Sequence, residues 1–198
     1  MLSTRLLICT GNPGKLSELR ALLPARCELV TLAQAGLPQD LPETGDTLEA
    51  NALQNARFAF ERSGMPGRGD ATGLEVDAWG GAPGGPSARY AGEAKDPRAD
   101  MEKLLVELRD ATDRRARFRT VIAFVDGEGE HLFEGEVTGT ITVAPRGSGG
   151  FGYDPIFLPE MSGLTFAELD STRKNAISHR AHAVWKLAVW LAEDRRIG

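Results

Sequence analysis

Residues 6–15, Leu-Leu-Ile-Cys-Thr-Gly-Asn-Pro-Gly-Lys, constrain the fold more than any other stretch of this chain. An apolar run long enough for one buried strand stops at a turn of small residues. A helical pattern of Leu16, Leu19, Leu22 and Leu23 then begins. A strand that turns directly into a helix belongs to an α/β sheet. It also leaves backbone N–H groups and the positive end of the helix dipole at the turn, next to the charge of Lys15. The sequence therefore predicts an anion site over Thr10, Gly11, Asn12, Pro13, Gly14 and Lys15. The spacing is neither a Walker A loop nor a dinucleotide fingerprint, and an ordinary βα turn capped by Asn12 stays open as the alternative.

The pattern downstream mixes helices and strands. Helices are expected over 14–23, from Thr47 to about Ser63-Gly64, from Asp96 or Asp100, and from Ser178 to the C-terminal region. Strands are expected at 27–32, at 116–125 and over 131–143, where the β-branched run looks antiparallel. The eight glycines in 67–92 read as loop, and 165–169 reads as a short helix. The sum favours a mixed-sheet α/β fold, with 1–198 as one domain of two lobes.

Composition excludes several classes. A net charge of -5 argues against sequence-independent nucleic-acid binding. No apolar run approaches the ~20 residues of a membrane span, and no signal-peptide pattern opens the chain. Two cysteines, Cys9 and Cys27, make no disulfide framework, so the expected compartment is the cytoplasm.

Candidate chemistry lies in five blocks: the first turn, Glu43-Thr44-Gly45, Asp70 to Val76, Phe151-Gly152-Tyr153-Asp154, and Lys174 with His179-Arg180. Lys15, Lys174 and Arg180 can neutralise a polyphosphate, or be solvated surface charge. Glu43 and Asp70 can hold a hard cation such as Mg²⁺, although Asp70 also suits a turn. Phe151 and Tyr153 can wall in a base or serve as core, and Asp154 can read a base edge. His179 can bond a base carbonyl or be structural.

Taken together and in order, the blocks resemble the inosine triphosphate pyrophosphatase family, the non-standard purine NTP pyrophosphatases. The matching pieces are Thr10-Gly-Asn-Pro-Gly-Lys15, Glu43-Thr-Gly45, Glu49-Ala-Asn-Ala52, Thr72-Gly-Leu-Glu-Val76, Gly80-Gly-Ala-Pro-Gly84, Ser87-Ala-Arg-Tyr-Ala-Gly92, Gly149-Gly-Phe-Gly-Tyr-Asp-Pro155 and Ser178-His-Arg180. The resemblance implies an elongated two-lobed fold around a long mixed sheet, with the nucleotide cleft between lobes, and a homodimer. It implies Mg²⁺-dependent attack of water on the α-phosphate of ITP, dITP or XTP, releasing pyrophosphate. By position, residues 10–15 and Lys174 would grip phosphates, and Thr72 would touch the nucleotide. Phe151, Gly152, Tyr153, Asp154, His179 and Arg180 would form the base pocket, and Glu43 would serve the metal.

Three departures qualify that expectation. The family usually carries Asp-Asp where this chain has Asp70-Ala71, and the second Asp is both general base and metal ligand. Alanine does neither job; since adjacent strand residues point to opposite faces, Asp70 takes over part of the base and metal role only with local rearrangement, and that alternative stays open beside the loss of catalysis. The family helix usually carries lysine where this chain has Asn55. Gly85-Pro86 replaces an apolar-Tyr pair. The sequence thus predicts a pyrophosphatase of reduced catalysis, or alternatively a nucleotide-binding module without turnover.

Overall fold

The computed structural model describes residues 4–25, 27–39, 41, 43–92, 96–160 and 162–193. Among them, seven strands form one mixed sheet, accompanied by five α-helices. The strands are β1 (Thr4–Cys9), β2 (Cys27–Thr31), β3 (Gly67–Val76), β4 (Ala82–Gly84), β5 (Arg115–Asp126), β6 (Gly129–Ile141) and β7 (Phe157–Pro159). The helices are α1 (Pro13–Leu22), α2 (Leu48–Ser63), α3 (Pro97–Glu107), α4 (Ser171–Ile177) and α5 (His179–Glu193). The strand order is β2-β1-β3-β5-β6-β7, with β4 paired to β3. β1 runs parallel to β2 and β3, whereas β3–β4 and β6–β7 are antiparallel. Among the described residues no helix is long and apolar enough to cross a membrane.

Helix starts follow local capping chemistry. Asn12, Thr47, Asp96 and Asp170 each accept a hydrogen bond from a first-turn amide of α1, α2, α3 and α4, and Pro13 and Pro97 occupy first helical positions that need no N–H. α2 stops at Gly64, whose φ of 69° suits glycine.

The chain divides into two compact units. The first comprises Met1–Ala71, Thr120–Gly135 and Arg180–Gly198. Its sheet is covered on both faces. Leu6 and Ile8 of β1 pack with Leu19 of α1 and with Ala183, Val184, Leu187 and Leu191 of α5. On the other face α2 presents Leu48, Ala52 and Ala56 to Ala71, Val121, Ala123 and Val125. The second unit comprises Thr72–Arg119 and Glu136–His179. Its core gathers Leu74, Val76, Leu104, Leu108, Phe118, Tyr153, Ile156, Phe157 and Phe166.

Two sequence expectations fail here. Residues 67–76 form a strand rather than a loop. Their glycines serve close packing, not turning: a Cβ on Gly67 would lie 2.4 Å from the Ala56 carbonyl oxygen, and one on Gly69 would lie 2.1 Å from that of Ala52. The helix α2 can therefore lie directly on the β3 backbone. Residues 165–169 form a turn instead of a helix, with the Thr165 N–H bonded to Glu168 Oε2. The helix begins later, at Ser171 behind its Asp170 cap.

Candidate active site

In the first unit, the turn after β1 closes on itself. The Asn12 N–H donates to Thr10 Oγ1 at 3.1 Å, and the N–H groups of Gly14 and Lys15 donate to Asn12 Oδ1 at 2.9 and 3.1 Å. Pro13 has no N–H, and the Leu16 N–H goes to the Asn12 carbonyl. The expected row of open amides is thus mostly occupied by Thr10 and Asn12. What the turn offers an anion is chiefly the Lys15 side chain and the dipole behind it.

Lys15 reaches back to the sheet. Its Nζ lies 3.0 Å from Asp70 Oδ2, as an ion pair. Alternation along β3 explains the rest of the cluster. Gly67, Gly69 and Ala71 face α2, while Arg68 and Asp70 face the side on which α1 and α5 pack. There Arg180, the second residue of α5, places Nε 3.9 Å from Asp70 Oδ2 and donates through Nη1 to Glu18 of α1. Arg68 is fully buried, and Nε, Nη1 and Nη2 all lack a hydrogen-bond partner among the described residues.

Burial alone would push the Asp70 carboxyl up, but Lys15, Arg68 and Arg180 outweigh it and hold the group down at about 2. Burial pushes the Arg68 guanidinium down to about 10, which leaves it charged at neutral pH. Burial likewise pushes the Cys9 thiol up to about 12.

Ala71 is 4% exposed in the apolar cluster against α2. Asn55 lies on the same inner face of that helix, buried, with Oδ1 lacking a hydrogen bond. The segment around Glu43 is strapped to α2. The Thr44 N–H donates to Gln54 Oε1, and Gly45 exchanges two hydrogen bonds with the Asn51 side chain. Glu43 itself is half-buried.

Asp70 does not fit a divalent cation as the chemistry of such a site requires. Its carboxylate already faces three cationic side chains, and Ala71 supplies no donor. Among the described residues no three His, Cys, Asp or Glu side chains converge.

The second unit carries the aromatic block. The Phe151 N–H and Lys174 Nζ both donate to Asp154 Oδ2, at 2.8 and 2.6 Å. Lys174 Nζ also lies 4.6 Å from the centre of the Phe151 ring. A Cβ on Gly150, where φ is +69°, would lie 2.0 Å from that same carboxylate oxygen. Asp154 thus shapes the glycine-rich turn from inside. The Tyr153 hydroxyl donates to the Ser87 carbonyl at 2.7 Å, and Gly152 takes φ +61°. Thr72 is half-buried on β3. His179 is buried and stacks on Phe118, with ring centres 4.7 Å apart and planes 20° from parallel.

The structure therefore brings Lys15, Asp70 and Arg180 together, and separately brings Phe151, Asp154 and Lys174 together. Sequence reading did not single out Arg68 or Glu18. The signal that could have found Arg68 is its parity with Asp70 in Gly67-Arg68-Gly69-Asp70, the same alternation that separates Asp70 from Ala71 carried two residues back.

A family model described as the Ham1 family matches residues 6–190. A dITP/XTP pyrophosphatase of Porphyromonas gingivalis is 50% identical over 188 residues, covering 94% of this chain and 97% of that protein. One from Xanthomonas campestris is 49% identical over 185 residues, covering 90% of this chain and 92% of that protein. Among solved structures, the Staphylococcus aureus Ham1 protein superposes with a TM-score of 0.88 at 36% identity, covering 96% of this chain and all of that one (100%). A HAM1 protein from Coxiella burnetii gives 0.88 at 37% identity, covering 96% of this chain and 99% of its own.

Proposed function

The chain belongs to the Ham1 family, and from that premise we propose that it hydrolyses non-standard purine nucleoside triphosphates, ITP, dITP and XTP, to the monophosphate and pyrophosphate at a reduced rate. The observation that carries the reading is 50% identity, over nearly the full length of both chains, to a protein named dITP/XTP pyrophosphatase. The buried cations beside Asp70 supply matching chemistry, since phosphoryl transfer depends mainly on positioning and on neutralising oxygen charge. In this reading Lys15 and Arg180 meet the phosphates. Phe151 and Tyr153 border the purine, while Asp154 holds their turn in shape through the Phe151 N–H and Lys174.

The reduced rate follows from the base. Attack by water is fastest when a positioned group with a pKa near the working pH takes its proton. Ala71 carries no such group. Asp70, held at about 2 by its cations, is a poor proton acceptor at neutral pH. The apolar packing of Ala71 also favours a second reading, a nucleotide-binding module without turnover. Following pyrophosphate release from ITP separates the two. Slow release above background supports the enzyme, and nucleotide binding with no release supports the module. We propose further that the chain acts in the cytoplasm as a homodimer, which light scattering would show as twice the single-chain mass.

A further inference from the structure

A group of cations gathers on the Arg68 face of β3. Lys15 pairs with Asp70, Arg180 pairs with Glu18 and lies near Asp70, and Arg68 sits in the field of Asp70 and Arg180. Asp70 is thus paired with Lys15 while also sharing the field of Arg68 and Arg180. Arg68 is left with a planar fork of donors that is 0% exposed and bonded to nothing among the described residues. An unsatisfied buried guanidinium is costly, and its geometry matches the oxygens of a phosphate group. A divalent cation entering the same place would meet like charge from three sides and one carboxylate already engaged.

We propose that this chain binds the triphosphate through its own cations, with Arg68 supplying charge that a divalent ion would otherwise bring, so that nucleotide binding does not require Mg²⁺. The inference rests on the nucleotide reading above and deepens it. Arg68 reaches the face of Asp70 because Gly67 and Gly69 let β3 lie against α2 by its backbone, leaving the alternate positions to project the other way. Lys15 is the member of the cluster nearest solvent, its side chain 17% exposed against 1% for those of Arg180 and Asp70. A phosphate oxygen arriving there displaces Asp70 from Lys15 or bridges Lys15 to Arg68.

The test is calorimetric titration of the full chain with the non-hydrolysable analogue α,β-imido-ITP, once in Mg²⁺ and once in EDTA. The expected result is a Kd in EDTA within about threefold of that in Mg²⁺, a change smaller than one charge-assisted contact gives. Arg68→Met should then weaken binding in EDTA by about tenfold or more, and Arg68→Lys should recover part of that loss. A wild-type affinity that falls tenfold or more in EDTA overturns the inference and leaves the nucleotide reading standing. Binding in EDTA that is unchanged in a folded Arg68→Met protein removes Arg68 from the account. No binding in either buffer removes both the inference and the nucleotide reading. The wild-type comparison needs no variant, so a misfolded substitution does not blunt it.

Discussion

Replacing Ala71 by aspartate should make stability depend on pH in a direction set by the packing of β3 on α2. The position is 4% exposed and packs with Leu48, Ala52, Ala56, Val121, Ala123 and Val125. A carboxyl buried in such surroundings has its pKa raised by about 3–5 units from an unfolded value near 4. Between pH 5 and 7.5 the folded protein then keeps a proton that the unfolded chain has released. The folded state binds more protons, so stability relative to wild type falls as pH rises, by about 1.4 kcal/mol per pH unit. Over that window the added loss is about 3 kcal/mol. Urea unfolding of wild type and Ala71→Asp at both pH values measures it, with Ala71→Asn as a control of similar shape that does not titrate. A penalty for Ala71→Asp no larger at pH 7.5 than at pH 5 would refute the reasoning, because the carboxylate would then be solvated or paired. Adding Asn55→Lys supplies a cation from the same inner face of α2, and should flatten the pH slope. Only that double variant should hold the new carboxylate ionised at neutral pH. Pyrophosphate release from ITP should therefore rise there by the ~10²–10⁴ a general base contributes, and much less in Ala71→Asp alone.

Three further outcomes are expected. Gly69→Ala drives a Cβ to 2.1 Å from the Ala52 carbonyl oxygen and should cost about 1–3 kcal/mol by urea unfolding, whereas Gly127→Ala meets no atom within 4 Å and should change little. Asp70, held at about 2, contributes stability that is present above its unfolded pKa and lost as pH falls from about 4 towards 2; Asp70→Asn should flatten that acid limb, and an unchanged slope would show that the carboxylate is not held by its cations. Cys9, 4% exposed and pushed up to about 12, should react with a thiol reagent only after unfolding; rapid reaction in native buffer would contradict its burial.

The parts of the fold written as contiguous patterns were legible in the sequence. The turn at 10–15, the Thr47 cap, the Gly64 stop and the long strand near 115–126 all follow from local spacing and capping. β3 was not legible because Gly67, Gly69 and Gly73 are turn residues by composition and become strand residues only when a helix or another strand lies within van der Waals reach. Reading the glycines as loop also leaves Arg68 aside, because the alternation that separates Asp70 from Ala71 is then not carried back beyond Asp70. Arg180 was read from its motif as part of the base pocket, and the fold sets it beside Asp70 and Glu18. Asp154 is expected to read a base edge, and the fold gives its Oδ2 the Phe151 N–H and Lys174 as partners. Motifs name residue types; hydrogen bonds decide which of them are left for a ligand.

The self-bonded turn of Thr10, Asn12 and Pro13 has a consequence for the timing of recognition. Its shape is complete before any ligand arrives, because Thr10 Oγ1 and Asn12 Oδ1 already fix three of its amides. Under the proposed function, a nucleotide would meet a turn whose hydrogen bonds are already made. Association would then spend little conformational entropy there, and amide exchange at Asn12, Gly14 and Lys15 should change little between the free protein and the complex.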